Sequence, residues 1–338
     1  MSYISFQPQD YFNTHLYSGN DTTNNQQVGL TPDLVWVKCR NNATPSHYWV
    51  DKVRGDKKYI SSNATTAEQT DSNTFDLVSG GFNLAGGNGW TNVTGRNYAS
   101  WNWLANGQGS SNTDGSITST VSANTTSGFS IVKFTATGSA ATIGHGLSTV
   151  PKMILVKRTD SSHTWQVYHA SIGATKYLEL NETQAEATSS GRWNDTTPTN
   201  SVFSIGSEWG SGAVLIAYCF SDITGFSKTG LYEGNGNADG AFIYTGFKPA
   251  FVLYKGKGAV QSWNINDNKR LGYNPNNAYL FPNLTQAESD ITRIDLLSNG
   301  FKLRTTDAGQ NGSGQGYIYM AFAEEPLVSS NGIPATAR

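Results

Sequence analysis

Charge is scarce in this chain. Only 14% of its 338 residues are charged, and 25 acidic against 23 basic side chains leave a net charge of −2. Such a chain has no basic field with which to hold a phosphate backbone, so nucleic-acid binding is excluded as its main role. Long apolar runs are missing as well. None approaches the roughly 20 residues that span a bilayer, so no membrane insertion is expected. Residues 1–10 alternate polar and apolar side chains without a basic start, which is not the pattern of a secretory signal. Cysteine is reduced to Cys39 and Cys219. Two isolated cysteines form neither a disulfide framework nor a zinc site, and both are expected as free thiols. No window sustains a helical period, and there are no heptads. The catalytic signatures G-x-S-x-G, the phosphate-binding glycine loop and H-E-x-x-H are absent. His145, His163 and His169 cluster in sequence, but no carboxylate stands at ligand spacing beside them. No catalytic residue, metal or cofactor is assigned.

Asn, Ser, Thr and 36 Gly fill the place of charge, and the aromatic share of 12% argues against disorder. Ser, Thr and Asn compete for backbone hydrogen bonds and favour turns and strands over helix. The expected fold is therefore all-β with little helix. It is organised as three tandem β-sandwich-like repeats of about 100 residues, a domain-sized unit rather than a solenoid one.

The repeat is read from recurring lines. A proline-led apolar strand ends in a lysine three times: Leu30 to Lys38, Leu147 to Lys157 and Phe247 to Lys255. A strand led by tryptophan follows at Trp49, Trp165 and Trp263. Next comes N-x-T-x-A-E, at Asn63 to Glu68, Asn181 to Glu186 and Asn283 to Glu288, with Tyr59, Tyr177 and Tyr279 four residues ahead. This motif is expected as one helical turn capped by its Asn. A final strand carries paired aromatics at Trp101 and Trp103, Tyr218 and Phe220, and Tyr317 to Phe322. The first and third repeats also share Tyr-x-Gly-Asn, at Tyr17 and Tyr232.

One acid per repeat does not suit a single active site. Glu68, Glu186 and Glu288 are read as structural, accepting backbone N–H groups or pairing with Lys38, Lys157 and Lys255. Residues 1–106 are assigned to the first repeat, 128–222 to the second and 223–327 to the third. The polar stretch 107–127 is expected as a linker and 328–338 as an extended tail. The run Gly234 to Gly240 resembles the start of a calcium loop, but Gly246 stands where the closing Glu is needed. It reads as a Gly-rich hairpin. Trp90, Trp193 and Trp209 fall outside the repeated lines in polar, Gly-rich surroundings and are the candidate ligand-binding residues, able to stack on a sugar or a partner. Trp36, Trp49, Trp101, Trp103, Trp165 and Trp263 lie on strand lines and are expected in the core.

Several lines together resemble a domain of unknown function found in tail fibres and minor structural proteins of bacteriophages, marine and cyanobacterial ones above all. They are Thr31 to Lys38 with Val53-Arg54-Gly55, Gly144 to Leu147 leading to Pro151, Tyr232 to Asn235, and Tyr317 to Ala323. The likeness covers roughly residues 16–326. It implies a non-enzymatic virion protein exposed on the particle, either head decoration or a tail or fibre appendage, assembled in the host cytoplasm. The implied partners are other capsid or tail proteins, further copies of the chain, with a trimer as one candidate state, and a host surface glycan. With no heptad stalk, a head-decoration or short-appendage role fits better than a stalked fibre. The alternative is a carbohydrate-binding or glycan-depolymerising tail protein, which for hydrolysis needs two carboxylates about 5 to 9 Å apart in one groove.

Overall fold

The computed structural model describes residues 4–71, 75–86, 89–270, 274, 276–328 and 334–335. It is nearly all β, with 47% of residues in strands and 4% in helix. Three large antiparallel sheets follow one another along the chain. In the first, the central strands stand in the order Phe12–Ser18, Asn97–Trp103, Leu34–Cys39, Tyr48–Asp51. In the second the corresponding order is Phe129–Thr137, Ser211–Phe220, Met153–Arg158, Gln166–His169. In the third it is Ser227–Glu233, Gly316–Pro326, Phe247–Gly256, Asn264–Asp267. Each of these sheets is accompanied by a second one, for example Asn24–Gln27, Gly81–Leu84 and Phe75–Val78 in the first segment.

The proline-led strands are apolar on both faces because both faces are covered. Successive strand residues point to opposite sides. Val35 and Val37 pack inside the first segment's own sandwich with Tyr48, Phe75 and Phe82. Leu34 and Trp36 belong to a larger core that joins all three segments. Ile154 and Val156 face the second segment's interior, while Met153 and Leu155 face the shared core. Alternation therefore disappears from the sequence where two cores meet at one strand. All six tryptophans on strand lines are buried.

The shared core has a threefold-like centre. Trp103 and Phe220 end their aromatic strands, Phe322 lies within the third, and the three ring centroids form a triangle with sides of 6.3, 5.9 and 5.8 Å. Phe12 and Phe251 pack on it in stacked and edge-to-face arrangements.

Two expectations about local structure are corrected. Residues 107–127 are not a structureless linker. Strands Ser110–Asn112 and Ser119–Asn124 lie there and extend the second sheet, Ser119–Asn124 pairing along Phe129–Thr137. Their polar side chains suit an outer edge, which is why composition alone suggested a linker. The N-x-T-x-A-E motifs are irregular loop rather than helix, each leading into a strand at Gln69, Ala187 or Ser289. The expected tail at 328–338 falls mostly outside the described residues.

Candidate functional site: the seams between segments

The motif residues meet at the boundaries between segments. Each Asn holds its motif to its own segment: the Oδ1 of Asn63, Asn181 and Asn283 accepts the amides of His47, Trp165 and Trp263 at 2.8, 2.7 and 3.1 Å. The rest of the motif reaches the next segment. The carbonyl of Thr65 accepts from Lys157 Nζ and the His163 amide, both at 2.8 Å. That of Thr183 accepts from the Gln261 amide, and that of Thr285 from Lys38 Nζ, again at 2.8 Å. The amides of Glu68, Glu186 and Glu288 donate to the carbonyls of Thr159, Lys257 and Arg40 at 2.9, 2.7 and 2.6 Å. Segment one is thus laced to two, two to three, and three back to one, so the contacts close into a ring.

The ring places Trp49 differently from the expectation. Trp165 Nε1 donates to Ser61 O and Trp263 Nε1 to Glu179 O, in each case the carbonyl two residues ahead of a motif Asn. In segment one the residue at that place is His47, whose Nε2 lies 2.9 Å from Phe281 O. Trp49 sits two residues further on, facing Trp36 across the ladder as Val167 faces Leu155. The eye is drawn to tryptophan in the sequence, but the amide bond to Asn63 fixes the register on His47.

The lysines and glutamates do not pair as expected. Lys38, Lys157 and Lys255 are fully buried. Their ammonium groups donate to carbonyls instead: Lys38 to Cys39, Pro45 and Thr285, Lys157 to Thr65 and His163, Lys255 to Gly256 and Ala259. Burial pulls all three down to about 8. The glutamates take other cations: Glu68 pairs with Arg54 and Lys58, Glu186 with Lys176 and Lys257, Glu288 with Arg40 and Arg270.

Deeper in the seams lies a second set of contacts that no motif signalled. Asp51 and Asp267 close buried ion pairs with Arg54 and Arg270. They then accept across a seam, Asp51 from Tyr218 Oη at 2.7 Å and Asp267 from Trp101 Nε1 at 3.1 Å. His169 holds the corresponding place in segment two, with Nε2 3.1 Å from Tyr319 O. The pairings Asp51–Arg54 and Asp267–Arg270 are three residues apart in sequence, and that spacing was the signal available.

The shared Tyr-x-Gly-Asn line also acquires a reason. The hydroxyls of Tyr17 and Tyr232 donate to the carbonyls of Thr91 and Gln310. The side chains of the following residues, Asn92 and Asn311, then accept the amides of Asn20 and Asn235. Asn311 Nδ2 donates to Asn235 Oδ1 and Asn237 O inside the Gly234 to Gly240 loop, so a protein amide fills the loop's centre.

The candidate ligand-binding tryptophans separate. Trp193 and Trp209 are buried in the second segment's core, Trp193 against Tyr168 and Trp209 against His163. The Arg192 guanidinium lies 5.9 Å from the Trp209 ring. Their rings are not open to a ligand, because the polar loops around them fold over the sandwich end. Trp90 is the exposed one, at 41%. An open cavity of about 370 Å³ lies elsewhere, lined among others by Asp222, Lys228, Tyr244 and Thr245. Tyr244 is 52% exposed there, with Lys228 Nζ 5.4 Å from its ring.

Fold and seams define an all-β protein in which three sheet-bearing segments of one chain share a single aromatic centre. The model of the family described as domain of unknown function (DUF7483) matches residues 7–326, and the chain belongs to that family. No curated protein and no solved structure matches the chain.

Proposed function

We propose that this is a non-enzymatic structural protein of a bacteriophage particle, displayed on its surface as head decoration or as part of a tail or fibre appendage. The observation that carries the reading is the use made of the thrice-recurring residues. Asn63, Asn181 and Asn283 anchor each motif in its own segment and the amides of the three glutamates bond the next one, so these residues are not gathered in a groove around a substrate. Such a use suits a rigid scaffold. The sequence likeness to phage structural proteins supplies the setting.

The same geometry bears on assembly. We read the three segments as copies of one unit, and the contacts a homotrimer makes between chains are here made within one. A single chain then suffices for a threefold-like body. Locating the protein in a cryo-electron map of its particle tests the reading. Density over the capsid lattice or on the tail supports it, and absence from purified particles overturns it.

A second reading, glycan binding, is favoured by the exposed ring of Tyr244 beside the cavity that holds Asp222, Lys228 and Thr245. An aromatic face with nearby polar groups is the arrangement that stacks on a sugar. A glycan array on the full chain and on Tyr244→Ala tests it. Binding lost in the variant supports it, and no binding by the parent chain removes it.

A further inference from the structure

Two contacts in the ring depart from the others, and both hold the third segment. Where Trp165 and Trp263 present an indole N–H to a neighbouring segment's carbonyl, segment one presents the imidazole of His47 to Phe281 O of segment three. Where Asp51 and Asp267 accept from Tyr218 and Trp101, segment two presents His169. The matching residue in segment three is Met320, whose side chain has no N–H or O–H to donate, and His169 meets the Tyr319 carbonyl instead. The seam between segments one and two uses Asp51 with Tyr218, Trp165 with Ser61 and Lys157 with Thr65. His163 gives that seam only its backbone amide, while its ring lies against Trp209.

The other nitrogen of each ring fixes the tautomer. Trp36 Nε1 donates to His47 Nδ1 at 2.8 Å, and the Ser171 amide donates to His169 Nδ1 at 3.2 Å. An Nδ1 that accepts carries no proton, so Nε2–H is the donor to the carbonyl. A second proton on either ring has to be placed at Nδ1, against an N–H already aimed there. Both rings are fully buried. We propose that neutral His47 and His169 are the acid-sensitive fastenings of the third segment, and that protonating them opens its two seams while the seam between segments one and two stays closed.

The surroundings act in the same direction. Burial holds His47 well below its ordinary value, and the cations Lys38 on its own sheet and Arg270 on the third segment add to this, against the Phe281 carbonyl. Arg270 is itself paired with Asp267 and Glu288. Burial pulls His169 down to about 4, opposed by its bond to Tyr319. A closed seam with His169 near 4 and an open one near the ordinary 6.5 favours opening by about thirty-fold at about pH 5 relative to neutral pH.

Amide hydrogen exchange on the full chain tests this at about pH 7.5 and about pH 5, corrected for the intrinsic pH dependence. The amides to follow are those that cross the seams. Protection at Glu186 and Gln261 is expected to fall about thirty-fold, that at Glu288 to fall with them, and that at Glu68 and His163 to fall by less than about three-fold. Equal loss at all five, or none, overturns the proposal. The double variant His47→Gln and His169→Gln is expected to abolish the selective loss, and its persistence there also overturns it. Should that variant not fold, the parent comparison decides alone. His145→Gln serves as control, since His145 is buried with the same arrangement inside segment two, its Nδ1 accepting from the Leu147 amide and its Nε2 facing Thr199 O. It is expected to leave the selective loss unchanged.

Discussion

Lys38, Lys157 and Lys255 are buried cations held by carbonyl oxygens with no carboxylate between them and the backbone. Burial lowers them to about 8, below their ordinary 10.5. Between those values the unfolded chain binds more protons than the folded one, so stability rises with pH from about 8 to about 10. Each lysine contributes at most about 1.4 kcal/mol per pH unit in that window. Above about 10 the sign reverses, because Tyr17, Tyr218 and Tyr232 are raised by burial and the unfolded chain loses its tyrosine protons first. Urea unfolding from pH 7.5 to 11 is expected to show this maximum, with a shallower rise in Lys157→Met. A second residue-scale prediction concerns Asn181. Replacing it by Ala leaves the buried Trp165 amide without its acceptor and is expected to cost about 1–3 kcal/mol in the same assay. The sequence made these residues conspicuous by recurrence. It could not name the partners of the lysines, because a backbone carbonyl more than ninety positions away leaves no mark in side-chain identity, as Lys157 with Thr65 shows.

Among the elements, the N-x-T-x-A-E loops act as laces. Glu186→Pro removes the amide that donates to Lys257 O and is expected to destabilise by at least about 1–3 kcal/mol. Exchange at Gln261, which crosses the same seam, is expected to rise with it. Where the strands lie was legible from proline, aromatic and turn residues. The helical turn expected for the motif was wrong because its Asn caps no helix and instead accepts a neighbouring strand's amide. The expected linker was wrong for a related reason. Ser119–Asn124 is polar because it lies toward an outer edge, and it is a strand because Phe129–Thr137 offers it a ladder. Trp193 and Trp209 show the converse. Their neighbours in sequence are polar, but the short turns Ser190–Trp193 and Ser207–Trp209 point the rings inward.

At the scale of the whole molecule, the sheets are not three independent beads. One core runs through all of them and meets at Trp103, Phe220 and Phe322. Light scattering in dilute solution is accordingly expected to give the mass of a single chain, since the threefold-like contacts are already satisfied within it. That all-β class and strand positions could be read from sequence while the ring could not has a simple cause. Local pattern encodes which face of a strand is apolar, and a ring requires knowing which other segment covers it.

The most direct test of the ring is Trp103→Ala, which removes one corner of the aromatic triangle and is expected to cost about 3–5 kcal/mol. Hydrogen exchange read along the whole chain is the measurement. Protection is predicted to fall together in all three segments, including Ser211–Phe220 and Gly316–Pro326, which lie more than a hundred positions from the change. Loss confined to residues 1–106, with the other two segments protected as before, would contradict a shared core and with it the ring.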